Sequence, residues 1–174
     1  VGLPHVLFPN AKIGLHPDEV TVAEILREKG YATAAVGKWH LGDHPSFLPT
    51  SHGFDTYFGI PYSNDMSPDP KNNPRPNASR HPPLPLLRDT TTIEFEPDQS
   101  QLVARYTREA VSFIESSSEQ PFFLYLAHTM PHVPLYASSQ FVGTASTPYG
   151  DVIQEIDWSV GEVVAAIERM GVAD

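Results

Sequence analysis

Along the chain, apolar and polar positions alternate with two periods, and the first clear one is helical. In VTVAEILREKG (20–30), Thr21 is followed three residues later by Glu24. This pairing is a capping box, in which each side chain satisfies a backbone donor at a helix start. Val20 and Ile25 stand where a hydrophobic staple would close, Val22, Ile25 and Leu26 form a narrow apolar stripe, and Gly30 suits the residue after the helix. The pattern predicts a helix over 21–29. YATAAV (31–36) is a run of small apolar residues, as expected for a strand buried on both faces, and FDTYFGI (54–60) predicts a second strand. A second helix is predicted over 98–116, because Leu102, Val103, Tyr106, Ala110, Phe113 and Ile114 share one face. FFLYLAH (122–128) predicts a central strand. A third helix over 150–170 is expected to turn Val152, Ile153, Ile156, Val160, Val163, Val164 and Ile167 inward. Helices alternating with apolar strands predict an α/β layered domain, or a piece of one.

Residues 61–97 interrupt this pattern. The chain's 18 prolines concentrate there, and the stretch carries neither helical nor strand periodicity. It predicts a long loop excursion, with the segment 64–97 lying inside the domain and not forming one of its own. Loops of this length in compact domains are usually functional or disordered. Asn77-Ala78-Ser79 within it is an N-glycosylation sequon.

Composition narrows the class. With 174 residues, 40% hydrophobic and 18% charged, the chain is long enough for one domain with a core. The formal net charge of −10 argues against a nucleic-acid partner, which requires clustered Lys and Arg. With no cysteine, the chain has no disulfide, thiolate zinc site or cysteine nucleophile of its own. No run is long and apolar enough to span a membrane. The first residues lack the basic start and apolar core of a signal peptide, and the chain reads as the middle of a longer one.

Three polar clusters follow strand candidates, where open α/β sheets gather their ligands. Lys38 and His40 in AVGKWHLG (35–42) leave the first strand two residues apart, so both can face one side. A lysine supplies a point charge for an anion, and an imidazole can exchange a proton with a reacting oxygen. A solvated turn over Trp39 is the plain alternative. Ser63, Asn64 and Asp65 end the second strand, and ordinary turn chemistry would also place them there. His128 and His132 have the spacing of a helical metal pair, but Pro131 and Pro134 argue against a helix and therefore against zinc. A histidine fixed by flanking prolines can still serve as a proton donor; a packed loop histidine is the alternative.

GYATAAVGKWHLG (30–42) resembles a signature of the sulfatase family. LPTSHGFDTYFGIPYSND (48–65), PFFLYLAHTMPHVPLYASSQF (121–141) and YGDVIQEIDWSVGEVV (149–164) follow in the order found in members of the arylsulfatase A and N-acetylgalactosamine-6-sulfatase type. The resemblance covers about residues 20–170. It implies an alkaline-phosphatase-like α/β/α sandwich with a mixed sheet, of which this chain is the central portion of a single catalytic domain. It implies hydrolysis of a sulfate ester, with a small molecule or a sulfated glycan as substrate. Lys38 resembles the lysine that contacts the sulfate. His40 resembles the histidine that hydrogen-bonds a formylglycine nucleophile, and His132 the histidine at the ester oxygen. Ser63 matches a serine near the sulfate, and His128 matches no residue of known role.

The family's Cys- or Ser-x-Pro-Ser-Arg motif, from which formylglycine is made, is absent, as are the Asp and Asn ligands of its calcium ion. Both are expected outside this segment, and the segment alone is expected to be inactive. Relatives of this type are exported to the periplasm or the medium, or are lysosomal. Two alternatives stay open: a phosphonate or phosphodiester hydrolase of the same superfamily, and a truncated, non-catalytic relative. Specificity is expected to lie partly in residues 64–90.

Overall fold

The computed structural model describes residues 5–69, 80–117 and 119–172. The sequon at Asn77 lies outside them. A five-stranded mixed sheet is flanked by helices on both faces. Its strands are β1 (Ala32–Gly37), β2 (Thr56–Gly59), β3 (Pro85–Arg88), β4 (Thr91–Phe95) and β5 (Phe122–Ala127), in the order β4-β3-β2-β1-β5. β1 runs parallel to both neighbours, with Val36 opposite Phe58 on β2 and Leu126 on β5. β3 and β4 extend the other side as an antiparallel hairpin.

Alternation along these strands builds two cores. Val36, Phe58 and Leu86 point to one face and pack with Leu102 and Tyr106 of helix α2 (Leu102–Ser116). Ala35, Tyr57 and Leu87 point to the other, against Ala23 of helix α1 (Val22–Glu28), Trp39 and Phe54. Helix α3 (Pro148–Met170) packs along α2 through Val103, Met130 and Val152. The expected layering and all three helices are present. The capping box is formed: Glu24 N–H donates to Thr21 Oγ1 at 3.1 Å, and Thr21 N–H donates to Glu24 Oε2 at 2.7 Å.

Four expectations need correction. The stretch 61–97 is not wholly loop, since residues 85–95 form the β3–β4 hairpin. Its signal was weak because Pro85 opens a strand and Thr91–Phe95 is exposed at the sheet edge. Asp89, at φ 55°, makes the turn, and its carboxylate accepts the Tyr57 N–H at 2.9 Å, tying the hairpin to β2. The strand expected to be central, β5, stands at the end of the described sheet, where it pairs with β1 alone, and Tyr125 is 45% exposed. In the stripe on α1, Val22 and Ile25 are exposed and Leu26 is half-buried, and Val20 before the helix is exposed as well. The helix instead packs its backbone at Ala23 and Glu24 onto Gly53, and Thr21 Oγ1 donates to the His52 carbonyl at 2.8 Å. On α3, Ile153, Val160 and Val164 are exposed, whereas Asp151, Glu155 and Ser159 are buried. The helix is rotated because these polar groups serve a loop that has no ladder of its own. Asp151 accepts the N–H groups of Gly143 and Ala145 at 2.9 and 2.7 Å, and Glu155 that of Ser138 at 2.9 Å.

Candidate functional site

Because β1, β2 and β5 are parallel and adjacent, their carboxyl ends open along one edge, and the three polar clusters leave the sheet there. Backbone bonds stitch these exits together. Lys38 N–H donates to the Ala127 carbonyl of β5 at 2.8 Å. Trp39 and His40 N–H groups donate to the Ile60 and Pro61 carbonyls beyond β2, at 3.1 and 3.0 Å. Two glycines permit this approach. A Cβ on Gly37 would overlap the Ala127 carbonyl, and one on Gly59 would overlap the Gly37 carbonyl. Gly37 also holds φ at +114°, a conformation side-chain-bearing residues rarely adopt.

Trp39 anchors the turn from below. It is 9% exposed, its Nε1–H donates to the Phe47 carbonyl at 2.7 Å, and its ring meets Phe54 edge-on. Lys38 and His40, on either side, stay half-buried. His40 sits at φ 62°, a left-handed conformation of the kind that clusters at functional sites. Its Nε2 lies 3.1 Å from the Leu7 carbonyl. A carbonyl only accepts, so Nε2 carries the proton and Nδ1 is left for a second partner.

The electrostatics tie the clusters to one another. Burial lowers the Lys38 pKa, and the carboxylate of Asp65 counters it. Burial also lowers His40; the Leu7 carbonyl and Asp65 push it up, while Lys38 and His132 push it down. His40 thus feels Lys38, Asp65 and His132, and Lys38 feels Asp65. At neutral pH this leaves His40 an uncharged imidazole beside an ammonium.

His132 is exposed at the end of the β5 exit, and no helix forms over 128–137. Its Nδ1 lies 2.6 Å from the Val133 carbonyl, which requires a proton on Nδ1 and turns Nε2 outward. Ser63 is 1% exposed, with its hydroxyl unpartnered. His128 points away from the edge: its Nε2 lies 3.0 Å from Ser159 Oγ on α3, and burial holds its pKa down at about 4. The sequence reading missed Gln99, 2% exposed, whose side chain bonds Asn64. A lone glutamine at a helix start carries no signal of that contact.

A lysine, two imidazoles and one carboxylate suit an anion better than a divalent cation. Among the described residues, no three His, Cys, Asp or Glu side chains gather as metal ligands. The residues present therefore do not fit the calcium ion implied by the resemblance. Nδ1 of His40 is left to accept a hydrogen bond from a hydroxyl.

The family model "Sulfatase" matches residues 2–174. The chain belongs to the sulfatase family. It is 37% identical to the N-acetylgalactosamine-6-sulfatase of Mus musculus over 172 residues, covering 92% of this chain and 32% of that protein. To the arylsulfatase A of Bos taurus it is 38% identical over 181 residues, covering 97% of this chain and 36% of that protein. The chain therefore spans about a third of the length of these sulfatases. Among solved structures, the PsFucS1 sulfatase from Pseudoalteromonas sp. superposes with a TM-score of 0.80 at 26% identity, covering 95% of this chain and 38% of that one. Ps i-CgsB in complex with k-i-k-neocarrahexaose gives 0.73 at 26% identity, covering 96% and 41%. The mixed sheet and its flanking helices are thus part of the alkaline-phosphatase-like sulfatase fold. Among the described residues no helix is long and apolar enough to cross a membrane.

Proposed function

We propose that this chain is the central part of a sulfatase catalytic domain and supplies the cationic, proton-handling side of its active site. What supports the reading is that Lys38, His40 and His132 leave adjacent parallel strands at one edge of the sheet, with His40 in electrostatic reach of the other two. Lys38 binds a sulfate oxygen and offsets the charge that develops on the transferring group. His40, uncharged and with Nδ1 open, holds the hydroxyl of the nucleophile. The formylglycine hydrate, supplied from outside these residues, provides the attacking oxygen when present. His132, its Nδ1–H held by the Val133 carbonyl, presents Nε2 to the ester oxygen; with a proton on both ring nitrogens it gives up the one on Nε2 to the leaving oxygen as the S–O bond breaks. Ser63 offers its unpartnered hydroxyl beside the sulfate.

The substrate is a sulfate ester, on a small molecule or a glycan, consistent with the neocarrahexaose held by one structural relative. The likeness to N-acetylgalactosamine-6-sulfatase and arylsulfatase A favours an exported or lysosomal enzyme. These 174 residues alone are expected to be inactive.

The test uses the full-length enzyme on a matched aryl sulfate and aryl phosphate. Lys38→Ala is expected to lower kcat/KM on the sulfate by about 100- to 1000-fold. Unchanged turnover in that variant refutes the role of Lys38, and a marked preference for the phosphate identifies a phosphoryl hydrolase instead.

A further inference from the structure

Asn64 and Gln99 have no part in the chemistry above, yet they form a closed polar pair beneath it. Both are buried, at 0% and 2% exposure. Asn64 Nδ2 donates to Gln99 Oε1 at 3.0 Å, and Gln99 Nε2 donates back to the Asn64 main-chain carbonyl at 3.0 Å. The second bond fixes which end of Gln99 faces Asn64, and this in turn fixes the Asn64 amide with its NH2 toward Gln99. The same NH2 donates to the Pro134 carbonyl at 3.3 Å. Pro134 directly follows Val133, whose carbonyl holds the His132 imidazole.

A chain of contacts therefore runs from the head of α2, through Gln99 and Asn64, to Pro134, Val133 and His132. It joins the β2 exit, which carries Ser63, to the β5 exit, which carries His132. The rest of the His132 loop is held at other points. Thr129 Oγ1 meets Tyr106 Oη at 3.2 Å, and Met130 is buried between α2 and α3. Among the described residues, the Asn64 bond to the Pro134 carbonyl is the hydrogen bond that ties this part of the loop to another element. Burying the two side-chain amides costs desolvation, which the three hydrogen bonds of the pair offset in part; the buried Oδ1 of Asn64 has no partner.

We propose that Asn64 and Gln99 are a positioning pair that sets the orientation of the His132 imidazole relative to the sulfate side of the site. The proposal rests on the reading of His132 as proton donor to the leaving oxygen. A mispositioned donor harms poor leaving groups, which need the proton, far more than good ones. A general loss of folding harms both alike.

The full-length enzyme, with Asn64→Ala and separately Gln99→Ala, is assayed on 4-nitrophenyl sulfate and on a simple alkyl sulfate, with His132→Ala alongside. The expected result is a loss of about 100-fold on the alkyl ester and less than about 3-fold on the nitrophenyl ester. The Gln99 variant, which alters no residue of the loops, serves where Asn64→Ala gives no folded enzyme. A second readout is independent of activity: the nitrogen resonances of the His132 imidazole, which report its tautomer. Wild type is expected to show the Nδ1–H form and Asn64→Ala a mixture. Equal losses on both esters, or an unchanged tautomer, overturn the positioning role. A wild-type enzyme inert on both esters, or a His132→Ala variant with no leaving-group dependence, refutes the reading of His132 instead; the imidazole spectrum then decides the pair by itself.

Discussion

Gly37→Ala tests the geometry on which the candidate site depends. Gly37 is the last residue of β1 and precedes Lys38. Its φ of +114° lies beyond the left-handed region that alanine tolerates, so strain alone costs on the order of 1–3 kcal/mol. The added Cβ would also overlap the Ala127 carbonyl, which accepts the Lys38 N–H at 2.8 Å. Parting β1 from β5 to relieve that overlap loses this bond, worth about 1 kcal/mol net. The sum is a destabilisation of about 2–4 kcal/mol, together with displacement of Lys38. The measurement is the denaturant midpoint of the full-length enzyme, paired with kcat on an aryl sulfate. Gly161→Ala is the control. Gly161 lies within α3 with open space around it, so alanine there is expected to be neutral or to stabilise by up to about 1 kcal/mol. If Gly37→Ala unfolds at the wild-type midpoint and keeps full activity, the close approach of β1 and β5 is wrong.

Three further outcomes are expected. His128 is held to about 4 by burial, below its ordinary 6.5, so the unfolded chain takes up a proton first as pH falls. Stability should then decrease as pH drops from about 6.5 to 4, by about 3 kcal/mol, and level off below; urea midpoints across that range should flatten in His128→Gln. Thr21→Ala removes the helix cap and the bond to the His52 carbonyl, and should lower stability by about 1–2 kcal/mol in the same denaturant assay. Asp65→Asn removes the carboxylate that counters desolvation of Lys38, so the Lys38 pKa should fall further; the alkaline limb of the kcat/KM profile should move to lower pH, and an unmoved limb refutes the coupling.

Where the fold was legible, local chemistry and periodicity agreed. The capping box located α1 because two side chains three residues apart carry the whole signal. The apolar run of β1 announced burial on both faces, and Thr33 through Gly37 are buried. Periodicity failed where a partner decides the outcome. The stripes on α1 and α3 contain enough valine and isoleucine to predict an inward face. The orientation of α3 is instead set by Asp151, Glu155 and Ser159, which meet N–H groups of the preceding loop and, 31 residues away, His128. No window along one helix contains those partners. The β3–β4 hairpin was hidden for a related reason: its edge strand is mostly exposed, and its pairing is secured by Asp89 reaching across to Tyr57.

The candidate site divides along the same line. Lys38, His40 and His132 were legible because a cation or an imidazole just past an apolar run is unusual, and parallel strands bring such exits to one edge. Asn64 was visible but uninformative, since asparagine beyond a strand most often closes its own turn. Gln99 carried no signal, because its contact spans 35 residues and depends on how the β2 exit meets the head of α2. His128 shows the opposite case, a residue conspicuous in sequence that the fold removes from the edge. It shares the β5 exit with His132, yet Ser159 draws its ring toward α3, where burial keeps it neutral. Two histidines four residues apart thus divide the work of one loop. His128 fixes its root in the helical layer, and His132 stands at its exposed end, where Asn64 reaches the next carbonyl but one.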